Sequence, residues 1–134
     1  MTTFFVSTAK PRGQQRPRVV RSKGGVHAYT PSQTKEAQWE IRQAAIEAGV
    51  TMMEGPVKLR VMVRFARPKS HTKKQRSIFK HTTKPDAANL GALICDSLEG
   101  VCYSSDSQVS SLWVFKEYAA EGAPAGWTVT VEAG

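Results

Sequence analysis

Three aspartates stand where a small protein could place catalytic or metal-binding acids. Asp86 follows Lys84-Pro85 and opens an apolar stretch, Asp96 lies within that stretch, and Asp106 stands in the polar run Ser104-Ser105-Asp106-Ser107-Gln108. Carboxylates are ordinary ligands of Mg²⁺, which takes one or two of them and keeps several waters. An ion held between Asp86 and Asp106 could polarise a phosphate and lower the pKa of an attacking water. Each acid also has a plain structural role. Asp86 fits a helix N-cap, whose oxygen accepts orphan backbone N–H groups. Asp106 fits a turn aspartate bonding its own backbone. Asp96 has apolar neighbours and, once buried, needs a backbone group or a base as partner. His27, His71 and His81 show no metal-ligand spacing and read as surface or phosphate-contacting residues. Cys95 and Cys102 lack the His/Cys company a four-ligand zinc site requires and are expected as reduced thiols. The chain carries no phosphate-cradling loop, dinucleotide fingerprint or nucleophile elbow, so no small-molecule cofactor is expected.

The elements that would position these acids follow from periodicity and punctuation. Thr3 to Thr8 reads as a short strand, residues 9–25 as a basic loop with a turn at Gly24-Gly25, and Val26 to Tyr29 as a brief strand. Thr30-Pro31-Ser32-Gln33 offers a hydroxyl cap, a proline at the first helical position and a glutamine three residues after the cap. Ala37, Ile41, Ala44, Ala45 and Ala48 then recur at helical spacing, and Gly49 is a stop. Val57 to Phe65 alternates apolar odd positions with mostly basic even ones, the pattern of a half-buried strand. Residues 66–84 form a second basic loop. Pro85 to Leu98 reads as a second helix with Leu90, Leu93, Ile94 and Leu98 on one face, ended by Gly100. Val109 to Tyr118 and Trp127 to Val131 read as closing strands. The expected fold is α+β, a mixed β-sheet with two main helices in one domain spanning 1–134.

At 134 residues the chain suits one core. It has no apolar run near the roughly 20 residues that span a bilayer and no basic-then-apolar leader, so neither membrane insertion nor secretion is expected. Charge is segregated. Residues 1–84 hold 18 Lys/Arg against four acids, and residues 85–134 hold one base against seven acids, within a net charge of +8. The loop 66–84 alone carries seven bases and no acid. Such a surface suits a polyanion, with Arg16, Arg18, Lys69, Lys73, Lys74, Arg76 and Lys84 expected to hold a phosphate backbone without reading bases. A non-catalytic, structure-selective nucleic-acid-binding protein fits this charge pattern too.

The block Lys84-Pro85-Asp86-Ala87-Ala88-Asn89-Leu90, with Asp96-Ser97-Leu98-Glu99-Gly100-Val101 and Asp106-Ser107-Gln108-Val109 after it, resembles the RusA family of Holliday junction resolvases, common in phages and prophages. Arg67-Pro68-Lys69-Ser70, Lys73-Lys74-Gln75-Arg76, Arg16-Pro17-Arg18 and Tyr29-Thr30-Pro31 extend the resemblance over most of the chain. It implies a homodimeric, Mg²⁺-dependent endonuclease of the cytoplasm, with Mn²⁺ the alternative ion, that cuts branched DNA symmetrically at four-way junctions. It assigns Asp86 and Asp106 to the metal and Asp96 to the catalytic group. Ala88 stands where the family's motif has a second acid, Ala92 where it has a lysine, and Ser105 where an acid often precedes Asp106. Alanine offers neither an oxygen for the ion nor an amine for the reaction, so the resemblance carries the expectation of impaired cleavage.

Overall fold

The alternation of Val57–Phe65 decides the architecture. In this strand, β4, Val57, Leu59, Val61, Val63 and Phe65 are buried on one side, while Lys58, Arg60, Met62 and Arg64 face the other. A period of two sends every second side chain to one face, so a single strand sorts the molecule into core and surface. The computed structural model describes residues 1–15, 18–29 and 31–134. Around β4 lie β1 (Thr2–Ser7), β5 (Val109–Tyr118) and β6 (Gly126–Ala133), in the spatial order β1-β6-β4-β5. β6 runs antiparallel to both β1 and β4, and β5 runs parallel to β4. Parallel neighbours need a crossover. The chain between β4 and β5 supplies it through a four-residue helix α2 (Lys73–Arg76) and the main helix α3 (Ala87–Leu98).

Two helices cover one face of the sheet: α1 (Ser32–Glu47) and α3. Ile41 and Ala45 of α1 and Leu90, Leu93, Ile94 and Leu98 of α3 meet Leu59, Val61, Val63, Val129 and Val131, all essentially excluded from water. Each large aliphatic side chain so buried contributes about 1.5–3 kcal/mol. Among the described residues neither main helix covers the other face, where Phe5, Trp113 and Phe115 stand exposed. The mixed α+β sheet with two main helices is as the sequence predicts.

Local readings need three corrections. Residues 9–25 are not one loop, because β2 (Arg18–Ser22) and β3 (Gly25–Tyr29) form an antiparallel hairpin closed at Lys23-Gly24. The surrounding arginines obscure the short apolar alternation around Val19 and Val26. Gly25, at a φ of 117°, adopts a backbone conformation that side chains resist. α1 begins at Ser32 with Pro31 in the cap position and no side-chain cap, one residue later than the punctuation predicts; Thr30, the predicted cap, lies outside the described residues. The loop 66–84 contains α2, capped by Thr72, and is tied down along its length.

Candidate active site

α3 starts where Asp86 can cap it. The Asp86 carboxylate accepts the Asn89 N–H at 2.8 Å, after a cis Lys84–Pro85 peptide. A cap of this kind is worth about 1 kcal/mol. The helix ends when Glu99 turns extended and Gly100 takes a φ of 86°. Tyr103, fully buried, then returns to the helix and donates its hydroxyl to the Cys95 carbonyl at 2.6 Å. Gln108 holds the following turn. Its Oε1 accepts the Ser104 and Ser105 N–H groups at 3.0 and 3.2 Å, and its Nε2 donates to the carbonyls of Met53 and Gly55, each at 3.0 Å. Asp106 is the first residue of this short 3-10 turn, and Ser105 caps it by accepting the Ser107 N–H at 3.3 Å.

These ties bring together three acids. Carboxylate oxygens of Asp96, Glu99 and Asp106 lie within 4.8 Å of one another. Asp96 is half-buried, and its partner is the side-chain amide of Gln14, which donates at 2.8 Å. The sequence predicts a backbone group or a base in that place; an amide from the N-terminal loop fills it instead. That loop lies against α3, with Gln14 N–H on the Asn89 carbonyl at 3.0 Å and Gly13 so close to Asn89 that a Cβ there would collide with the Asn89 side chain. Burial first, then the charges of Asp106 and Glu99, raise the pKa of Asp96, against the lowering effect of the Gln14 hydrogen bond. Burial, with Asp106 and Asp96, likewise pushes the Cys95 thiol up to about 11, so it stays protonated near neutral pH and is no nucleophile.

Sequence reasoning pairs Asp86 with Asp106. The structure instead groups Asp106 with Asp96 and Glu99, and Asp86 stands at the far end of α3. Ten residues separate Asp86 from Asp96, about 15 Å along a helix axis. Within one chain an ion on the cluster is therefore beyond the reach of Asp86. Glu99 is the acid that sequence reasoning misses; its signal is the spacing of three from Asp96, which puts both on one side of the helix. Ala88 and Ala92 are exposed on α3, on the side that also carries Asp96.

The basic loop is built like a clamp. Arg67 donates to the carbonyls of Gln75 and Ile78 at 2.9 and 2.8 Å and lies 4.5 Å from the Tyr118 ring centroid. Lys116 donates to the Thr83 carbonyl at 2.7 Å. His81, expected at the surface, is buried instead, stacked on Phe65 at 3.8 Å with Tyr118 at its edge. This leaves Lys69, Lys73, Lys74, Arg76 and Lys84 exposed. Among the described residues none of them is ion-paired; the ion pair found there is Arg64–Glu117 at 2.9 Å. Arg16 lies outside the described residues, and Arg18 opens β2. The loop is anchored at the Tyr118 end of β5 and leads into Asp86, whereas Asp106 immediately precedes the Val109 end. A ten-residue strand is about 33 Å long, so within one chain the basic loop's anchor and the acidic cluster lie far apart.

An acid-bearing helix on a mixed sheet, with a cation-rich loop at the helix start, has the groups to hold a cation and a polyanion. Similarity to known proteins agrees. The family model described as Endodeoxyribonuclease RusA matches residues 8–132, so the chain belongs to the RusA family of Holliday junction resolvases. It is also 33% identical over 125 residues to an uncharacterized protein, YqaN, of Bacillus subtilis strain 168, a match covering 87% of this chain and 88% of that one. Among the described residues no helix is long and apolar enough to cross a membrane.

The cluster's donor set fits a divalent cation. Three carboxylates supply only hard oxygen atoms, the donors Mg²⁺ and Mn²⁺ prefer. After burial, the rise in the Asp96 pKa comes from the like charges of Asp106 and Glu99, a repulsion that a cation would relieve.

Proposed function

We propose that this chain is a branched-DNA-binding member of the resolvase family that works as a homodimer in the cytoplasm of a bacterial or phage-infected cell, with Mg²⁺ or Mn²⁺ at Asp96, Glu99 and Asp106, and with impaired cleavage. The observation that carries the reading is the convergence of those three carboxylates in a chain of this family. A bound divalent ion would supply charge to a scissile phosphate and a more acidic water. The chain's own groups do the rest. Gln14 holds the Asp96 carboxylate in place, Gln108 fixes the turn that presents Asp106, and the exposed Lys69, Lys73, Lys74, Arg76 and Lys84 of the loop 66–84 grip phosphates.

The length of α3 makes two chains necessary if Asp86 takes part. A site using both Asp86 and Asp106 needs one chain's helix start beside the other's 3-10 turn, which a twofold axis provides twice. Two equivalent sites suit a junction with two equivalent strands to cut. Impairment follows from Ala88 and Ala92. Both face solvent on α3, where an acid and a lysine would extend toward the DNA, and a methyl group supplies neither charge.

The test is a gel-shift comparison of a synthetic four-way junction with linear duplex across salt, followed by Mg²⁺ or Mn²⁺. Junction-selective binding with weak cutting is expected, and Ala88→Asp with Ala92→Lys should raise cleavage. Rapid cutting by the unaltered chain refutes the impairment. Equal affinity for duplex refutes the branched-DNA reading. A non-catalytic binding role has one observation in its favour: the Asp86 carboxylate is already engaged as a helix cap. Junction binding with no gain from the double substitution would select that role. Mixing Asp86→Asn chains with Asp106→Asn chains, each also carrying Ala88→Asp and Ala92→Lys, tests the shared site: if Asp86 of one chain works beside Asp106 of the other, the mixture regains cleavage that neither variant has alone.

A further inference from the structure

The sheet face that α1 and α3 leave open carries aromatic, basic and hydroxyl side chains in ordered rows. Register across the four strands sets Trp113, Arg60, Thr130 and Thr3 in one row and Phe115, Met62, Thr128 and Phe5 in the next. Trp113, Phe115 and Phe5 are 53%, 43% and 43% exposed. The Trp113 and Phe115 ring centroids lie 6.4 Å apart, and the Arg60 guanidinium sits 5.0 Å from the Trp113 centroid. Of the acids on this face, Glu117 is held by Arg64 at 2.9 Å and Glu132 stands across from Lys58. Among the described residues no ion pair neutralises Arg60 beside the rings.

The face continues into the basic loop. At the Tyr118 end of β5, a cleft of about 480 Å³ is lined by Phe5, Arg64, Tyr118, Thr128 and Phe79 of the loop. A second cleft, of about 470 Å³, shares Phe79 and is lined by Arg67, Lys69 and Arg76. Phe79 is 69% exposed, yet its backbone is fixed, its carbonyl accepting the Tyr118 N–H at 2.7 Å. A phenyl ring therefore stands in water between an aromatic cleft and a cationic one.

Two requirements narrow the occupant. Rings on a flat face suit flat apolar groups, and the free cations beside them suit anions. Bases joined by phosphates meet both, because every base has a π-face to stack and a cationic groove tracks the backbone. Unpaired bases can be splayed onto aromatic side chains, whereas those of a duplex are stacked on each other. A second copy of the chain fits less well. Arg60, Thr128 and Thr130 break up the apolar rows, with the Thr3 and Thr130 hydroxyls bonded to each other at 3.0 Å, while interface cores are depleted of charge.

We propose that this open face binds single-stranded DNA, its unpaired bases stacked on Trp113, Phe115 and Phe79 and its phosphates held by Arg60, Lys69 and Arg76. DNA is chosen over RNA because the chain belongs to a family of endodeoxyribonucleases. The face lies on the side of the sheet away from α3, so it takes a strand that Asp96, Glu99 and Asp106 do not hold.

The experiment is fluorescence anisotropy of the full chain with labelled dT12, beside rU12 and a four-way junction. Trp113→Leu and Phe115→Leu keep apolar bulk but remove the ring, and each should weaken dT12 binding at least about fivefold, with unchanged circular dichroism. Trp113→Phe should lose less than Trp113→Leu, and Trp39→Leu, exposed on α1, should change nothing. In a Trp39→Phe chain, dT12 should quench tryptophan emission, and adding Trp113→Leu should abolish the quenching, since Trp127 is buried. Unchanged dT12 affinity in both leucine variants overturns the proposal. Tighter binding of rU12 than of dT12 assigns the face to RNA and overturns it too, as does a leucine variant that alters sedimentation but not dT12 affinity, which assigns the face to a second copy. Ring-dependent dT12 binding by a chain that does not prefer the junction leaves this site standing and removes the branched-DNA reading.

Discussion

Removing one charge from the acidic cluster should stabilise the metal-free protein and abolish most of its response to divalent ions. Asp106→Asn keeps the shape of the turn, whose ties run through Ser105, Gln108 and the backbone. It deletes two like-charge pairs, with Asp96 and with Glu99, at oxygen separations up to 4.8 Å. Each pair costs about 0.9 kcal/mol in the dielectric of water, and about half of that after screening at physiological salt. The variant in EDTA at pH 7 should therefore be more stable by about 1 kcal/mol, a rise in Tm of about 3–5 °C for a domain this size. Saturating Mn²⁺ reverses the order. An ion at ten times its dissociation constant stabilises the unaltered chain by about 1.4 kcal/mol, and the variant, with two acids left, gains less. The acid side gives a further check. The folded-state pKa of Asp96 is raised, so its charge, and the repulsion it suffers, is present above that pKa and lost as pH falls through it. The advantage of the variant in EDTA should shrink as pH drops through the carboxylate range. Scanning calorimetry at pH 7 and pH 4, with EDTA and with Mn²⁺, measures all of this. A variant less stable than the parent in EDTA at pH 7, or equal Mn²⁺ shifts in both proteins, would refute the reasoning.

Three further outcomes are expected. Lys73→Ala with Lys74→Ala should lower the slope of log affinity against log salt for junction DNA by about 0.9 for each phosphate these lysines neutralise, checked by fluorescence anisotropy; an unchanged slope removes both from the interface. His81 is buried, and burial, aided by Lys116, lowers its pKa below 6.5. Its neutral form is therefore favoured by folding, and the stability this confers is lost as pH falls through 6.5 toward the lowered value. Urea denaturation of His81→Phe should be less sensitive to pH over that window than that of the parent. Gly126 has a φ of 148°, and a Cβ there would run into the Val6 carbonyl oxygen where β1 pairs with β6. Gly126→Ala should cost about 2–3 kcal/mol in thermal or chemical unfolding, and a neutral result would show that β1 can shift.

Local pattern determined a great deal of this protein. The alternation of Val57–Phe65 specifies which side of that strand is buried, because the pleat has a period of two. Leu90, Leu93, Ile94 and Leu98 specify the buried face of α3 by the same kind of argument at helical period. The block from Lys84 to Leu90 marks the family, and Asp86 caps its helix as its residue type suggests. The hairpin of β2 and β3 is hidden because arginines interrupt its apolar residues, and the burial of His81 because no local pattern reveals a ring stacked on Phe65. Which acids meet was decided only in three dimensions. Residue type names Asp86, Asp96 and Asp106 as candidates, but a helix is a rigid spacer that carries Asp86 away from the cluster and Glu99 into it. The amide that satisfies Asp96 comes from Gln14, more than eighty positions earlier in the chain. Spacing along a chain measures distance only within one regular element. Between elements, the packing of α3 on the sheet and the tether from Tyr103 to Cys95 set it.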